Sequence, residues 1–272
     1  MKLATIRTSH GTRAVRVEEE GYVDLGAADV GELLALDDWS DRASADGDRV
    51  QGDLAPVVPR PGKIICVGLN YAPHIREMGR ELPEHPTLFA KFTEALIGPH
   101  DPVQLPAVSE ALDWEAELAL VIGRPVRHAD EEAASAAIAG FTVCNDVTIR
   151  DWQYRTKQWL QGKTFEATTP LGPFLVTPDE LPGGTRPELA IRTIVGGEKM
   201  QEADTSELVF DPVALVTYAS TILTLQPGDV IITGTPGGVG HARKPPRYLR
   251  DGDVLVTEID GLGRCENPVV RA

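Results

Sequence analysis

Two glutamates, Glu115 and Glu117, stand two residues apart at the head of an apolar run in "DWEAELALVIG", residues 113–123. Residues two apart in a strand share a face, so both carboxylates are expected on one side, ~7 Å apart along the chain. Like charges beside a buried run repel each other and resist desolvation, so they need a positive partner or water. Asp146 closes another apolar run in "FTVCNDVTIRDWQ", residues 141–153. Three carboxylates without clustered His or Cys form an oxygen-only set, which suits a hard divalent ion such as Mg²⁺, Mn²⁺ or Ca²⁺. The plainer arrangement puts the glutamates on the solvent face of an edge strand and makes Asp146 a turn cap. On spacing alone that arrangement is the commoner one.

Other residues could join this set. In "GLNYAPHIREMG", residues 68–79, Pro73 and Gly79 bracket a short helix on which His74 and Glu77 are i,i+3 neighbours. A carboxylate beside an imidazole fixes its tautomer and strengthens it as a base, although a surface ion pair has the same pattern. Lys163 follows Gly162 in "QGKTFEATTPLGPFLV". It is either an ordinary exposed lysine or the counter-charge to a carboxylate cluster. "DVIITGTPGGVG", residues 229–240, runs a strand into a Gly-rich turn without the GK[ST] ending of a phosphate loop. Its glycines allow backbone amides and Thr235 to approach a ligand, or make a plain turn.

The elements that must position these residues are mostly strands. "KLATIRT", "RAVRVE" and "GYVDLG" are short alternating segments, followed by a helical "VGELLALDDW" and a polar, then Pro-rich stretch. Residues 1–58 therefore read as a small N-terminal β-rich domain and residues 59–272 as the main one. In the latter, "KIICVGLN", "LALVIG", "AGFTVCNDVT", "GPFLVT", "LAIRTIVGGE", "DVIITG" and "DVLVTEIDG" are strand-like. "DEEAASAAIAG", "DPVALVTYASTILTL" and part of "RDWQYRTKQW" are helical. Without a regular βα alternation, a strand-dominated α+β fold is expected in place of a Rossmann or TIM arrangement.

Composition narrows the partners. The 272 residues are 42% hydrophobic and carry 41 Asp plus Glu against 26 Lys plus Arg, a net charge of −15. That argues against nucleic acid or an anionic membrane, but not against a small anion, because a metal ion can reverse the local field. Cys66, Cys144 and Cys265 are odd in number and far apart, with no CxxC, so neither a disulfide framework nor a thiolate zinc site is expected. The start lacks an apolar signal region and no apolar stretch approaches a membrane span. A reducing cytoplasm is the expected compartment.

Taken in order, "GLNYAPHIREMG", "LFAKFTEALIGP", "DWEAELALVIG", "FTVCNDVTIRDWQ", "QGKTFEATTPLGPFLV", "GDVIITGTPGGVG" and "RKPPRYLRDGDVL" resemble the fumarylacetoacetate hydrolase family from about Lys63 to the C-terminus. The resemblance implies a mixed β-roll with few helices, here with a small N-terminal domain, and a homodimer. It implies metal ligation by Glu115, Glu117 and Asp146, with Mg²⁺ or Mn²⁺ as the ion and Ca²⁺ as a further candidate. It implies catalytic roles for His74, Glu77 and Lys163, and substrate binding by Tyr71, Arg150, Gln153 and Thr235. His74 and Glu77 would sit on a segment, running to Leu82, that orders over substrate. One departure is "KF" at Lys91 and Phe92, where the family commonly has "KP"; it bears on the pocket's shape and leaves the metal site intact.

The activity so implied is metal-dependent hydrolysis of a C–C bond in a small anionic 2,4-dioxo acid of the acylpyruvate or fumarylpyruvate type, as in aromatic-compound catabolism. His74, oriented by Glu77, would activate water, and Lys163 would stabilise the oxyanion. Decarboxylation or keto–enol isomerisation of oxaloacetate or carboxymethyl-hydroxymuconate-type substrates is the alternative, since one stabilised enolate serves all three. A non-catalytic metal-binding β protein is the alternative from another class. Such a protein would need neither His74, Glu77 nor Lys163.

Overall fold

The computed structural model describes residues 1–77, 79 and 81–272, the side chain of Glu77 excepted. Its frame is a long twelve-stranded sheet. At one end lie the N-terminal strands Lys2–Thr8, Gly11–Glu18 and Gly21–Asp24, and at the other the parallel pair Ile64–Gly68 and Val230–Ile232 with Thr87–Lys91 on the edge. Between them run Thr169–Val176, Ile138–Asn145 and Ala116–Ile122, all antiparallel neighbours. A five-stranded sheet of Glu198–Asp204, Ala190–Val195, Val254–Ile259, Gly263–Arg271 and Val103–Leu105 makes the second layer. Helices are few and short; the eleven-residue Pro212–Ile222 begins with the side chain of Asp211 capping Ala214 N–H and proline at its first position. No described helix is long and apolar enough to cross a membrane. The strand-dominated α+β fold expected from the sequence is the one observed.

The N-terminal strands are joined to the rest through the ladder itself. Leu3 pairs with Leu175, and one apolar cluster unites Leu3, Val30 and Leu33 with Ala119, Cys144 and Leu175. The sheet and that core therefore run without a break from the first strand into the strands that carry the carboxylates.

Strand Ala116–Ile122 is buried along its whole length, as is Ile138–Asn145. A strand covered on both faces shows a continuous apolar run in place of alternation, and each of the two carries a carboxylate only at or just beyond its end. Pairing Glu117 with Cys144 and Ala116 with Asn145 places Asp146, the next residue, against Glu115, whose carbonyl accepts the Asp146 N–H at 2.8 Å. Register thus sets the cluster.

Candidate metal centre and active site

Glu115 precedes the strand. The two backbone amides at this point leave the ladder for side chains: Glu115 N–H donates to Asn145 Oδ1 at 2.9 Å and Ala116 N–H to Gln201 Oε1 at 3.0 Å. The expected ~7 Å separation along a regular strand is thereby replaced by convergence. Ligand oxygens of Glu115, Glu117 and Asp146 lie within 4.8 Å of one another, and all three residues are buried. The solvent-face arrangement is excluded by that burial.

Cations hold two of the three. Lys163 Nζ donates to Glu115 Oε2 at 2.6 Å and to Asp146 Oδ2 at 2.7 Å. Lys91 Nζ donates to Asp146 Oδ1 at 2.6 Å and to the Val147 carbonyl at 3.2 Å. Arg150 Nη1 is paired with Glu115 Oε1 at 2.7 Å. Burial opposes charge on Asp146, but Lys163 and Lys91 outweigh it and hold the carboxyl below its ordinary range. Burial likewise opposes charge on Lys163, and there the Asp146 and Glu115 carboxylates prevail, holding the ammonium well above its ordinary pKa. Lys163 is thus the counter-charge alternative, a fixed cation and no base at neutral pH.

Glu117 differs. Its one hydrogen bond among the described residues comes from Gly234 N–H, and no cation pairs with it. Burial, then the Asp146 and Glu115 charges, push its carboxyl well above its ordinary range. Gly234 reaches it from a positive φ of +106° at which a Cβ would stand 2.8 Å from Asn70 Cβ, so a side chain there would displace the amide. The Gly-rich turn therefore supplies an amide to a carboxylate of the triad. Four buried carboxylates, Asp113 included, face three buried cations, leaving one negative charge in excess. A buried carboxylate without a cation, beside two others and in an oxygen-only set, fits a hard divalent ion. Glu115, Glu117 and Asp146 would hold it, and the ion would turn the local excess positive.

A cavity of about 270 Å³ opens beside the cluster. It is lined by Glu115, Glu117, Lys163, Arg150, Gln153, Thr235, His74 and His241, with Val67, Phe89 and Trp159 among the apolar walls. Its size suits a small ligand better than a drug-sized one. Lys163 reaches it from the short helix Leu160–Lys163. Gly162 lets that helix pack on Gln153, since a Cβ there would lie 2.4 Å from Gln153 N. Arg150 turns toward the protein as well as the cavity: Nε donates to Asp113 Oδ2 at 2.7 Å and Nη1 to Gln153 Oε1 at 2.9 Å. Thr235 Oγ1 accepts from Gln201 Nε2 at 2.9 Å. Tyr71 lines a neighbouring cavity of about 300 Å³ that His74 also borders. Burial holds the Tyr71 phenol protonated, and its hydroxyl has no partner among the described residues. His74 lies on the helix Ala72–Glu77. The expected His74–Glu77 contact, and part of the segment expected to order over substrate, lie outside the described residues.

Three residues important here carry no role in the sequence reading. Lys91 sits inside a quoted motif, but a lysine after an apolar strand has no local mark of burial. Gln201 lies in a polar strand, and only the fold shows its Oε1 taking Ala116 N–H and Thr193 Oγ1–H while its Nε2 holds Thr235 and the Pro236 carbonyl. Asp113 did carry a signal, standing two residues before Glu115 as Glu115 stands before Glu117. Fully buried, it accepts from Gly240 N–H at 2.7 Å, His241 N–H at 2.9 Å and Trp114 N–H at 2.9 Å besides Arg150. Asp113→Ala is expected to cost about 3–5 kcal/mol, the usual penalty for leaving a buried guanidinium without one partner. Urea unfolding of the purified variant measures this, and a loss under 1 kcal/mol would show that Glu115 alone suffices for Arg150.

Fold and site define a class: a β-rich enzyme-type scaffold with a buried carboxylate triad able to hold a divalent ion at a small cavity. Residues 63–270 match the family model for the fumarylacetoacetate (FAA) hydrolase C-terminal domain. The chain is 48% identical over 219 residues to the Xenopus laevis mitochondrial oxaloacetate tautomerase fahd2, covering 80% of this chain and 68% of that one. Among solved structures, a fumarylacetoacetate hydrolase from Exiguobacterium antarcticum superposes with a TM-score of 0.87 at 33% identity, covering 100% of both chains. The 5-carboxymethyl-2-hydroxymuconate delta-isomerase from Mycobacterium smegmatis does so with a TM-score of 0.80 at 35% identity, covering 100% of this chain and 99% of that one. The chain belongs to the fumarylacetoacetate hydrolase family.

Proposed function

We propose that this protein is a divalent-metal-dependent keto–enol tautomerase acting on oxaloacetate or a closely related 2-oxo dicarboxylic acid. The alternative held open by the sequence is thus preferred to C–C hydrolysis. What carries the reading is the 48% identity to an oxaloacetate tautomerase across 80% of the chain, beside a buried carboxylate triad able to hold a divalent ion. A bound Mg²⁺ or Mn²⁺ at Glu115, Glu117 and Asp146 would supply Lewis acidity to the substrate's 1-carboxylate and 2-oxo oxygens.

The remaining tasks fall to side chains. Tautomerisation moves a proton between C3 and the 2-oxo oxygen, so it needs a proton carrier and no water nucleophile. Lys163 and Arg150 are held as fixed cations by their carboxylates and favour negative charge at the oxygen without exchanging protons. His74, which borders the cavity, is the group proposed to carry the proton. Gln153 and Thr235 present hydrogen-bonding groups to the same space and position the substrate. Trp159 and Phe89, packed edge to face at 5.4 Å, keep one wall apolar. A homodimer is proposed as the working unit.

The test follows ultraviolet absorbance of freshly dissolved enol oxaloacetate with Mg²⁺, together with pyruvate release and acylpyruvate cleavage. Faster enol–keto equilibration without pyruvate supports the tautomerase. Pyruvate from oxaloacetate would make it a decarboxylase, and cleavage of acylpyruvates would restore the hydrolase.

A further inference from the structure

His241 is not accounted for by the triad or by the proton transfer, yet it lines the same cavity. Its imidazole is tilted against two tyrosines, with ring centroids 5.3 Å from Tyr154 and 6.4 Å from Tyr248. Nδ1 is 2.9 Å from the Tyr248 hydroxyl, and Nε2 makes no hydrogen bond among the described residues. Burial holds the Tyr248 phenol above its ordinary pKa, so the hydroxyl stays protonated and able to donate to Nδ1. In the tautomer that accepts the Tyr248 hydroxyl on Nδ1, the ring carries its proton on Nε2 as a donor.

The backbone beneath is fixed. Asp113 takes the Gly240 and His241 amides on its two oxygens, and its Oδ2 also takes Arg150 Nε. Arg150 in turn grips Glu115 at 2.7 Å, so the His241 loop and the triad are linked through two buried charged side chains. Arg150 keeps its Nη2 buried without a hydrogen-bond partner among the described residues while lining the same cavity. The cavity thus has acceptor-rich chemistry at the triad and unspent donors elsewhere on its wall.

We infer that His241 is a specificity-determining residue whose Nε2–H receives the distal carboxylate of the substrate, with Tyr154 and Tyr248 as positioning residues. This rests on the proposed action on a 2-oxo dicarboxylic acid and adds which side chain reads the second carboxylate. An imidazole tied at Nδ1 to Tyr248 and in contact with the Tyr154 ring has part of its freedom already removed before substrate binds.

L-malate and L-lactate share a chelating 2-hydroxy acid head and differ in the distal carboxylate, so their affinity ratio isolates that contact. Titration calorimetry on the Mg²⁺-loaded protein should show tighter binding of malate. His241→Phe keeps an aromatic ring beside Tyr154 and Tyr248 and removes the donor; it should cut the malate-over-lactate preference about tenfold or more, the range of one hydrogen bond to a charged group. Lactate affinity should stay unchanged. Tyr248→Phe should give a smaller cut, because the imidazole stays in place but its tautomer is no longer fixed. For oxaloacetate turnover, His241→Phe should raise KM by a similar factor at unchanged kcat.

No preference for malate in the wild type, or an undiminished preference in His241→Phe, overturns the inference. Failure of malate to bind at all does the same. A malate preference that depends on His241 in a protein that does not equilibrate oxaloacetate would sink the tautomerase reading and leave the subsite standing.

Discussion

Glu117→Gln is expected to abolish tight Mg²⁺ binding and lower turnover about 10³-fold, while making the metal-free protein more stable. The two effects share one cause. Among the described residues Glu117 is a buried carboxylate held by a single amide, with the charges of Asp146 and Glu115 beside it and no cation of its own. Without metal its charge is a liability; with metal it is a ligand. Glutamine keeps the acceptor for Gly234 N–H and removes the charge. Removing Lewis-acid stabilisation worth several kcal/mol sets the rate loss. Replacing buried ionic groups by neutral ones typically gains up to about 1–4 kcal/mol, and each kcal/mol moves Tm by about 2–4 °C at this chain length.

The pH dependence gives the sign. Glu117's folded pKa lies above its ordinary 4.5, so the folded chain keeps a proton that the unfolded chain releases. Stability of the metal-free wild type therefore falls as pH rises from about 4.5 through that raised value. Glutamine cannot titrate, so Glu117→Gln should lose this part of the slope. Metal has to displace the same proton, so the wild type's apparent Mg²⁺ affinity should rise with pH across that window. Scanning calorimetry at several pH values, with and without Mg²⁺, checks all of this. A metal-free Glu117→Gln that melts below the wild type at pH 8 would mean the carboxylate is stabilising without a cation, contrary to its surroundings.

The three carboxylates are visible in the sequence, but spacing alone favours a solvent-facing pair and a turn cap; the resemblance to the family makes them a ligand set. Two glutamates ahead of an apolar run and an aspartate at the end of another are each visible in a few residues, and strand pairing does the rest. Which strands pair, and in what register, is not local; it follows from long-range burial that no short segment encodes. Lys91 and Gln201 became visible only when Thr87–Lys91 and Glu198–Asp204 had found their places. The same holds for Arg150, whose sequence neighbours place it near the substrate but give no hint that Asp113 and Glu115 claim it. The edge strand Glu198–Asp204 was also missed as an element, because partial burial blurs its alternation. The N-terminal strands were read correctly one by one, while their ladder to Thr169–Val176 depends on a partner more than 160 residues away.

His74→Ala should lower oxaloacetate equilibration by about 10²–10⁴-fold, the usual weight of a positioned acid–base group, with Mg²⁺ affinity unchanged. His74 is reached by elimination among the described groups at the cavity. Lys163 and Arg150 are held protonated by their carboxylates, and burial holds the Tyr71 phenol protonated. The triad carboxylates would be committed to a bound ion. Two imidazoles remain, His74 and His241. His241 has its Nδ1 committed to Tyr248 and is assigned to binding, so His241→Phe should move KM and leave kcat alone. His74→Ala should do the reverse, lowering kcat with little change in KM. Decarboxylation offers a control within the same variant. Loss of CO₂ from a chelated 2-oxo acid needs an electron sink but no base at C3, so any residual decarboxylation should survive His74→Ala while equilibration collapses. If equilibration persists at the wild-type rate in His74→Ala and falls in His241→Phe through kcat, the two imidazoles have exchanged roles. In that case the proton is carried from the side of the cavity that Asp113 holds in place.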